Sequence, residues 1–101
     1  MTNGEKQQAP VRVLVADDQR LMRDGIASLL SLQEGIEIVG TAADGQEALE
    51  RALALQPDVI LMDVRMPVMD GVAATAQIHR QLPTCRILML TTFDDEEYIV
   101  D

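Results

Sequence analysis

The residues best suited to chemistry are acidic and stand at the ends of apolar runs. Asp17 and Asp18 follow VRVLVA, and Asp63 ends VILMD within VILMDVRMPVMDG. Thr91 ends a further run, RILMLT. A run as apolar as 59–62 belongs in the middle of a sheet, where a carboxylate is costly to bury. Asp63 is therefore expected at a strand tip. If the strands ending in Asp17–Asp18, Asp63 and Thr91 are neighbours, three carboxylates and a hydroxyl converge on one pocket. Like charges raise one another's pKa, so such a cluster calls for a counter-charge. A hard divalent cation supplies it. Mg²⁺ takes one or two carboxylates, keeps several waters and bridges to a phosphate. With the cluster neutralised, Asp63 can attack phosphorus and form an acyl phosphate. The metal and a donor such as the Thr91 hydroxyl then stabilise charge on the transferred phosphoryl group.

Alternating strand and helix patterns position these residues. Residues 11–16 read as a strand, followed by a helical stripe of Met22, Ile26, Leu29 and Leu30. Residues 36–42 read as a second strand with partial alternation, compatible with a sheet edge. Gly45 opens a second helix with Ala48, Leu49, Ala52 and Leu55 on one face and Pro57 as its stop. Residues 59–63 form the third strand. Gly71, Ala74, Thr75, Ile78 and Leu82 mark a third helix closed by Pro83, and residues 86–91 a fourth strand. In FDDEEYIVD, Asp94 is a candidate cap for a further helix, with Glu97 three residues on. This alternation with short connections predicts an α/β fold, a doubly wound parallel sheet with helices on both faces. Function in such sheets gathers at the carboxyl ends of the strands, where strand order reverses.

Composition narrows the function classes. The chain has 101 residues, enough for one small domain, and its single Phe and single Tyr leave an aliphatic core. A net charge of −9 argues against gripping a nucleic-acid backbone with this segment. A lone cysteine, Cys85, excludes an internal disulfide and fits a reducing cytoplasm. No apolar run approaches a membrane span. Residues 1–10, polar and ending in Pro, are expected to form a disordered tail. The turn ADDQRLMRDG carries neither GxGxxG nor GxxxxGK[ST], which removes Rossmann and P-loop readings.

Structural roles compete with chemical ones at several positions. Asp18 alone could cap the first helix, although the pair Asp17–Asp18 exceeds what one cap needs. Asp70 beside Gly71 is expected to cap the third helix and is left outside the site. Met62, Met66, Met69 and Met89 are expected to fill the core. His79 has no His or Cys close by and is expected to be solvated.

The motifs VLVADDQ, VILMDVRMPVMDG and ILMLTT, in this order and at these strand ends, resemble the receiver domain of bacterial two-component response regulators. The similarity runs from Val11 to Asp101. ADDQRLMRDGIASLL and LTTFDDEEYIV further resemble the subgroup whose receivers precede a LuxR-type helix-turn-helix domain, the LuxR/NarL type. The resemblance implies a flavodoxin-like fold with strand order 2-1-3-4 here. It implies a histidine kinase as partner and Asp63 as phospho-acceptor. Asp17, Asp18, Asp63 and the backbone carbonyl of Arg65 would hold Mg²⁺, and Thr91 would be the switch hydroxyl. Pro67 and Gly71 would shape the loop, and the side chains of Arg65 and Phe93 would flank the site. Such a domain is not an enzyme beyond its own phosphorylation and dephosphorylation.

The family also places a lysine and an aromatic switch residue on a fifth strand, whereas the only lysine here is Lys6. The chain is accordingly expected to be a truncated receiver, lacking the fifth strand and last helix, with DNA bound through a separate C-terminal domain. Exposed apolar edges would then favour self-association. A receiver fragment that cannot be phosphorylated, acting by protein binding alone, is the alternative. A phosphohydrolase of the haloacid dehalogenase type would need a second Asp two residues after Asp63, where Arg65 stands.

Overall fold

A computed structural model describes residues 9–90. Within them four strands alternate with three helices: β1 (Val11–Ala16), α1 (Arg20–Ser31), β2 (Ile36–Ala42), α2 (Gly45–Leu55), β3 (Val59–Asp63), α3 (Gly71–Gln81) and β4 (Arg86–Leu90). All pairings are parallel and the strand order is β2-β1-β3-β4, as the motifs implied. Thr91, Phe93 and the helix start expected at Asp94–Glu97 lie outside the described residues, as does most of the expected N-terminal tail.

The sheet winds in both directions from β1. The crossover through α1 places β2 on one side, and that through α2 carries β3 back to the other. Crossovers of the right-handed sense that strand twist favours put α1 and α2 on opposite faces of a sheet wound in this order. On the α2–α3 face, Leu14, Ala16, Ile60 and Met62 pack with Ala48, Leu49, Ala52, Ala74 and Ile78. Leu14, Ile60, Met62 and Ile78 are fully buried, each contributing about 2 kcal/mol through burial. The alternate residues Val13 and Val15 are buried as well. This is why β1 reads as continuously apolar.

Burial departs from the sequence pattern at two places. The apolar stripe of α1 is only half covered: Ile26 and Leu30 are half-buried, while Met22 and Leu29 are exposed. Helix α1 lies against β1 and β2, so the stripe has no second helix beside it among the described residues. Met89 is exposed rather than core, because β4 pairs only with β3 among the described residues. Its sulfur accepts a hydrogen bond from the Thr75 hydroxyl at 3.3 Å.

Helix ends are set by short polar side chains. Asp70 caps α3, its Oδ1 accepting from the Ala73 N–H at 2.8 Å, as expected. Asp44 caps α2 in the same way, and Glu47 reaches back to the Ala43 N–H at 2.7 Å. Helix α1 starts differently, since its N-cap is Gln19 with no side-chain bond.

The connection from β3 to α3 carries the tightest backbone constraints. The Met69 N–H donates to the Pro67 carbonyl at 2.7 Å across Val68, whose φ is +70°. This is a γ-turn of the strained, positive-φ kind, built on a β-branched residue that exposes its side chain. Three residues on, the Gly71 N–H donates to the Val64 carbonyl at 2.9 Å. A Cβ at Gly71 would run into the carbonyl oxygen of Asp63. Opposite stability effects follow in this one loop. Val68→Gly relieves the left-handed strain and should stabilise the fold by about 0.5–1 kcal/mol, after allowing for the added freedom of glycine. Gly71→Ala should destabilise it by at least about 2 kcal/mol. Urea denaturation of the two variants measures both, and a destabilised Val68→Gly would refute the strain.

Candidate functional site

Neighbouring strands bring the acids together. Ala16 pairs with Met62, so the next residue of each strand, Asp17 and Asp63, leaves the sheet level with the other. Carboxylate oxygens of Asp17, Asp18 and Asp63 all lie within 4.8 Å of one another. Asp17 and Asp63 are only 4% and 5% exposed, while Asp18 faces solvent. Two of the three charges are therefore shielded from the water that would otherwise screen them.

Asp17 is fixed through three separate groups. Its N–H donates to the Ala42 carbonyl at 3.0 Å, extending the β1–β2 ladder past the end of β1. Its Oδ1 accepts from the Gln19 N–H at 2.9 Å, closing an Asx turn. Its carbonyl accepts from Nη1 of Arg23 at 3.0 Å. Sequence alone left open whether Asp18 caps α1. The turn-closing bond belongs to Asp17 instead, which leaves Asp18 exposed at the rim.

Burial pushes the Asp17 carboxyl above its ordinary value of 3.8. The Gln19 N–H opposes that rise, the neighbouring Asp18 adds to it, and the Arg23 charge offsets part. Glu47 shifts the other way. The Ala43 N–H is the main cause, opposed by burial and aided by Arg51 at 3.2 Å and by Arg23.

An open pocket of about 330 Å³ adjoins the cluster, lined by Asp18, Val64, Arg65, Met66, Pro67 and Asp70. Asp18 belongs to both. Arg65 and Pro67, singled out from sequence, are thus in the pocket wall. Asp70 was left outside the site, yet it lines the pocket while its Oδ1 caps α3. Its place directly before Gly71, the first residue of α3, gave no distinguishing signal. Met66 combines core burial with a place in the wall. Thr91 and Phe93 lie outside the described residues. His79 is exposed on the last turn of α3, and the converging group contains only aspartates.

The donor set fits a hard divalent cation. It offers several carboxylate oxygens at one point, two of them on buried residues, beside a pocket with room for water and an anionic group. Without an ion the same arrangement is electrostatically strained. At neutral pH, Asp17→Asn should therefore raise the melting temperature of the ion-free protein. The folded state binds the Asp17 proton more readily than the unfolded state does. Ionised Asp17 thus destabilises the fold at neutral pH, and this effect fades as pH falls through its raised pKa toward 3.8. The advantage of Asn should shrink over that interval, as thermal melts across a pH series would measure.

Comparison with known proteins bears on the fold and the family. The family model for the response regulator receiver domain matches residues 13–101. The transcriptional regulatory protein LnrK of Bacillus subtilis is 47% identical over 91 residues, covering 90% of this chain and 41% of LnrK. The chain thus spans less than half the length of that relative. The signal receiver domain of NarL from Mycobacterium tuberculosis superposes with a TM-score of 0.79 at 41% identity, covering 89% of this chain and 73% of that one. A CheY from Borrelia burgdorferi, solved in complex with CheX, beryllium fluoride and Mg²⁺, gives 0.80 at 26% identity over 95% of this chain and 72% of its own. With a matching family model over most of its length and a sheet wound in the order 2-1-3-4, this chain belongs to the response regulator receiver domain family.

Proposed function

We propose that the chain is the phospho-acceptor unit of a two-component system, running from residue 11, with Asp63 taking a phosphoryl group from a histidine kinase. The observation that carries this reading is the convergence of Asp17, Asp18 and Asp63 beside an open pocket. One Asp63 oxygen attacks phosphorus, the bond from phosphorus to the donor imidazole nitrogen breaks, and the electron pair leaves with the imidazole. The product is an aspartyl phosphate. Water then attacks the aspartyl phosphate, releasing inorganic phosphate and restoring the Asp63 carboxylate, so the chemistry is confined to the chain's own phosphorylation and dephosphorylation.

Asp17, Asp18, Asp63 and the backbone carbonyl of Arg65 would hold Mg²⁺. When bound, the ion supplies charge compensation for the carboxylates and for the oxygens of the arriving phosphoryl group. Asp17 is held ready by its three hydrogen bonds, and exposed Asp18 stands where an ion enters from solvent. The Thr91 hydroxyl is the proposed switch group, responding to the phosphoryl charge. The Borrelia CheY structure, which contains Mg²⁺ and a beryllium fluoride group, lends support by analogy. LnrK, a transcriptional regulator, supports a DNA-binding output located outside this segment and a cytoplasmic setting.

Incubation of the chain with acetyl phosphate and Mg²⁺, followed by intact mass measurement, tests the reading. The expected result is a mass increase of one phosphoryl group, lost in Asp63→Asn and prevented by chelation of Mg²⁺. An increase that survives Asp63→Asn, or no increase at all, would refute the assignment.

A further inference from the structure

Arg23 stands behind the acidic cluster in a position that neither composition nor motif singled out. It is half-buried near the start of α1, and its own N–H makes one of the first helical bonds, to the Gln19 carbonyl at 2.9 Å. From there its guanidinium reaches back over the turn, and Nη1 donates to the Asp17 carbonyl at 3.0 Å. A residue in the first turn of the helix therefore also holds the residue that follows β1. The other arginine on this part of α1 behaves differently. Arg20 points to solvent and pairs with Asp24 at 3.4 Å, with both side chains well exposed.

The grip closes a short ring of constraints on the turn 17–19. Asp17 is held on β2 through Ala42, on the turn through Gln19 and on α1 through Arg23. Removal of the last would leave the Asp17 carbonyl without its tether to the helix. The Arg23 guanidinium bonds the Asp17 backbone carbonyl, so it steadies the turn through the main chain.

We propose that Arg23 is a positioning residue for a divalent cation at the acidic cluster, acting by holding the Asp17 carbonyl and so fixing the turn that presents Asp17 and Asp18. This rests on the cation reading given above. Two effects of Arg23 on ion binding have opposite signs, which makes the proposal sharp. As a bare positive charge near three acids it would weaken cation binding, and its loss would tighten it. As a positioning group it prepares the ligands, and its loss should weaken binding. Groups that orient metal ligands from outside the coordination shell typically affect affinity by about 10–100-fold. A single grip on a backbone carbonyl belongs at the lower end of that range.

Calorimetric titration of Mg²⁺ into the ion-free chain, well below its melting temperature, separates the two. The proteins compared are the unsubstituted chain, Arg23→Met, Arg23→Lys and Arg20→Met. The expected result is about tenfold weaker binding for Arg23→Met. Arg20→Met removes an equal charge from the same helix and should bind as tightly as the unsubstituted chain or slightly more so. Arg23→Lys keeps the charge but not the planar fork, and should fall between. Arg23→Met binding as tightly as the unsubstituted chain, or more tightly, overturns the proposal. Should Arg23→Met fail to fold, Arg23→Lys decides alone: weaker binding supports a positioning role and equal binding overturns it. If the unsubstituted chain binds no Mg²⁺, the cation reading falls and this proposal with it. Binding that is indifferent to Arg23 removes this proposal only.

Discussion

Everything at the carboxyl edge of this sheet depends on one unfavourable contact, the approach of Asp17 and Asp63 to within 4.8 Å with Asp18 beside them. A fold selected for stability alone would not place two nearly buried carboxylates there. The parallel pairing of β1 with β3 enforces it. In register, Ala16 faces Met62, so the residues that follow start from neighbouring strand ends. The apolar runs before these acids are what lock that register, since Leu14, Ile60 and Met62 are fully enclosed by α2 and α3. Hydrophobic burial thus holds like charges together, and the site inherits its geometry from the core.

The surrounding loops compensate in distinct ways. On the β1 side the strain is electrostatic and the remedy is hydrogen bonding: the Gln19 N–H and the Arg23 guanidinium both favour an ionised Asp17 against the penalty of burial. On the β3 side the strain is in the backbone. Gly71 must lie directly on the Asp63 carbonyl, and the chain turns there through Val68 at positive φ. Glu47, tied to the Ala43 N–H and to Arg51, stiffens the β2–α2 loop next to Ala42, the residue that receives the Asp17 N–H. Local strain gathers where chemistry is expected and is balanced by rigid elements around it.

Strand and helix positions were legible in the sequence because period and punctuation agree. Bounds such as 59–63 and the cap at Asp70 follow from an apolar run ending in a carboxylate and from an Asp before Gly. The triad was legible because strand ends in a doubly wound sheet fall on one edge. What stayed hidden depends on contacts that have no sequence period. Met89 looks like a core residue until its strand proves to have a neighbour on one side only among the described residues. The half-covered stripe of α1 has the same origin. Asp70 looks like a plain cap because capping uses one oxygen, and its place in the pocket wall emerges only once the β3–α3 loop has folded.

Asp17 and Asp18 show why adjacency in sequence is a poor guide to role. The two residues are chemically identical, yet one is buried, raised in pKa and held by three hydrogen bonds, and the other is exposed. The difference arises from the end of β1: Asp17 still belongs to the ladder through Ala42, and Asp18 is the first residue free of it. One fixed and one exposed carboxylate can therefore be encoded by a repeated residue, provided the strand stops between them. That stop is set where the Asp17 carboxylate closes the Asx turn with Gln19 and Arg23 reaches back from α1. What distinguishes the two carboxylates of the DD motif is then the turn and helix that follow them.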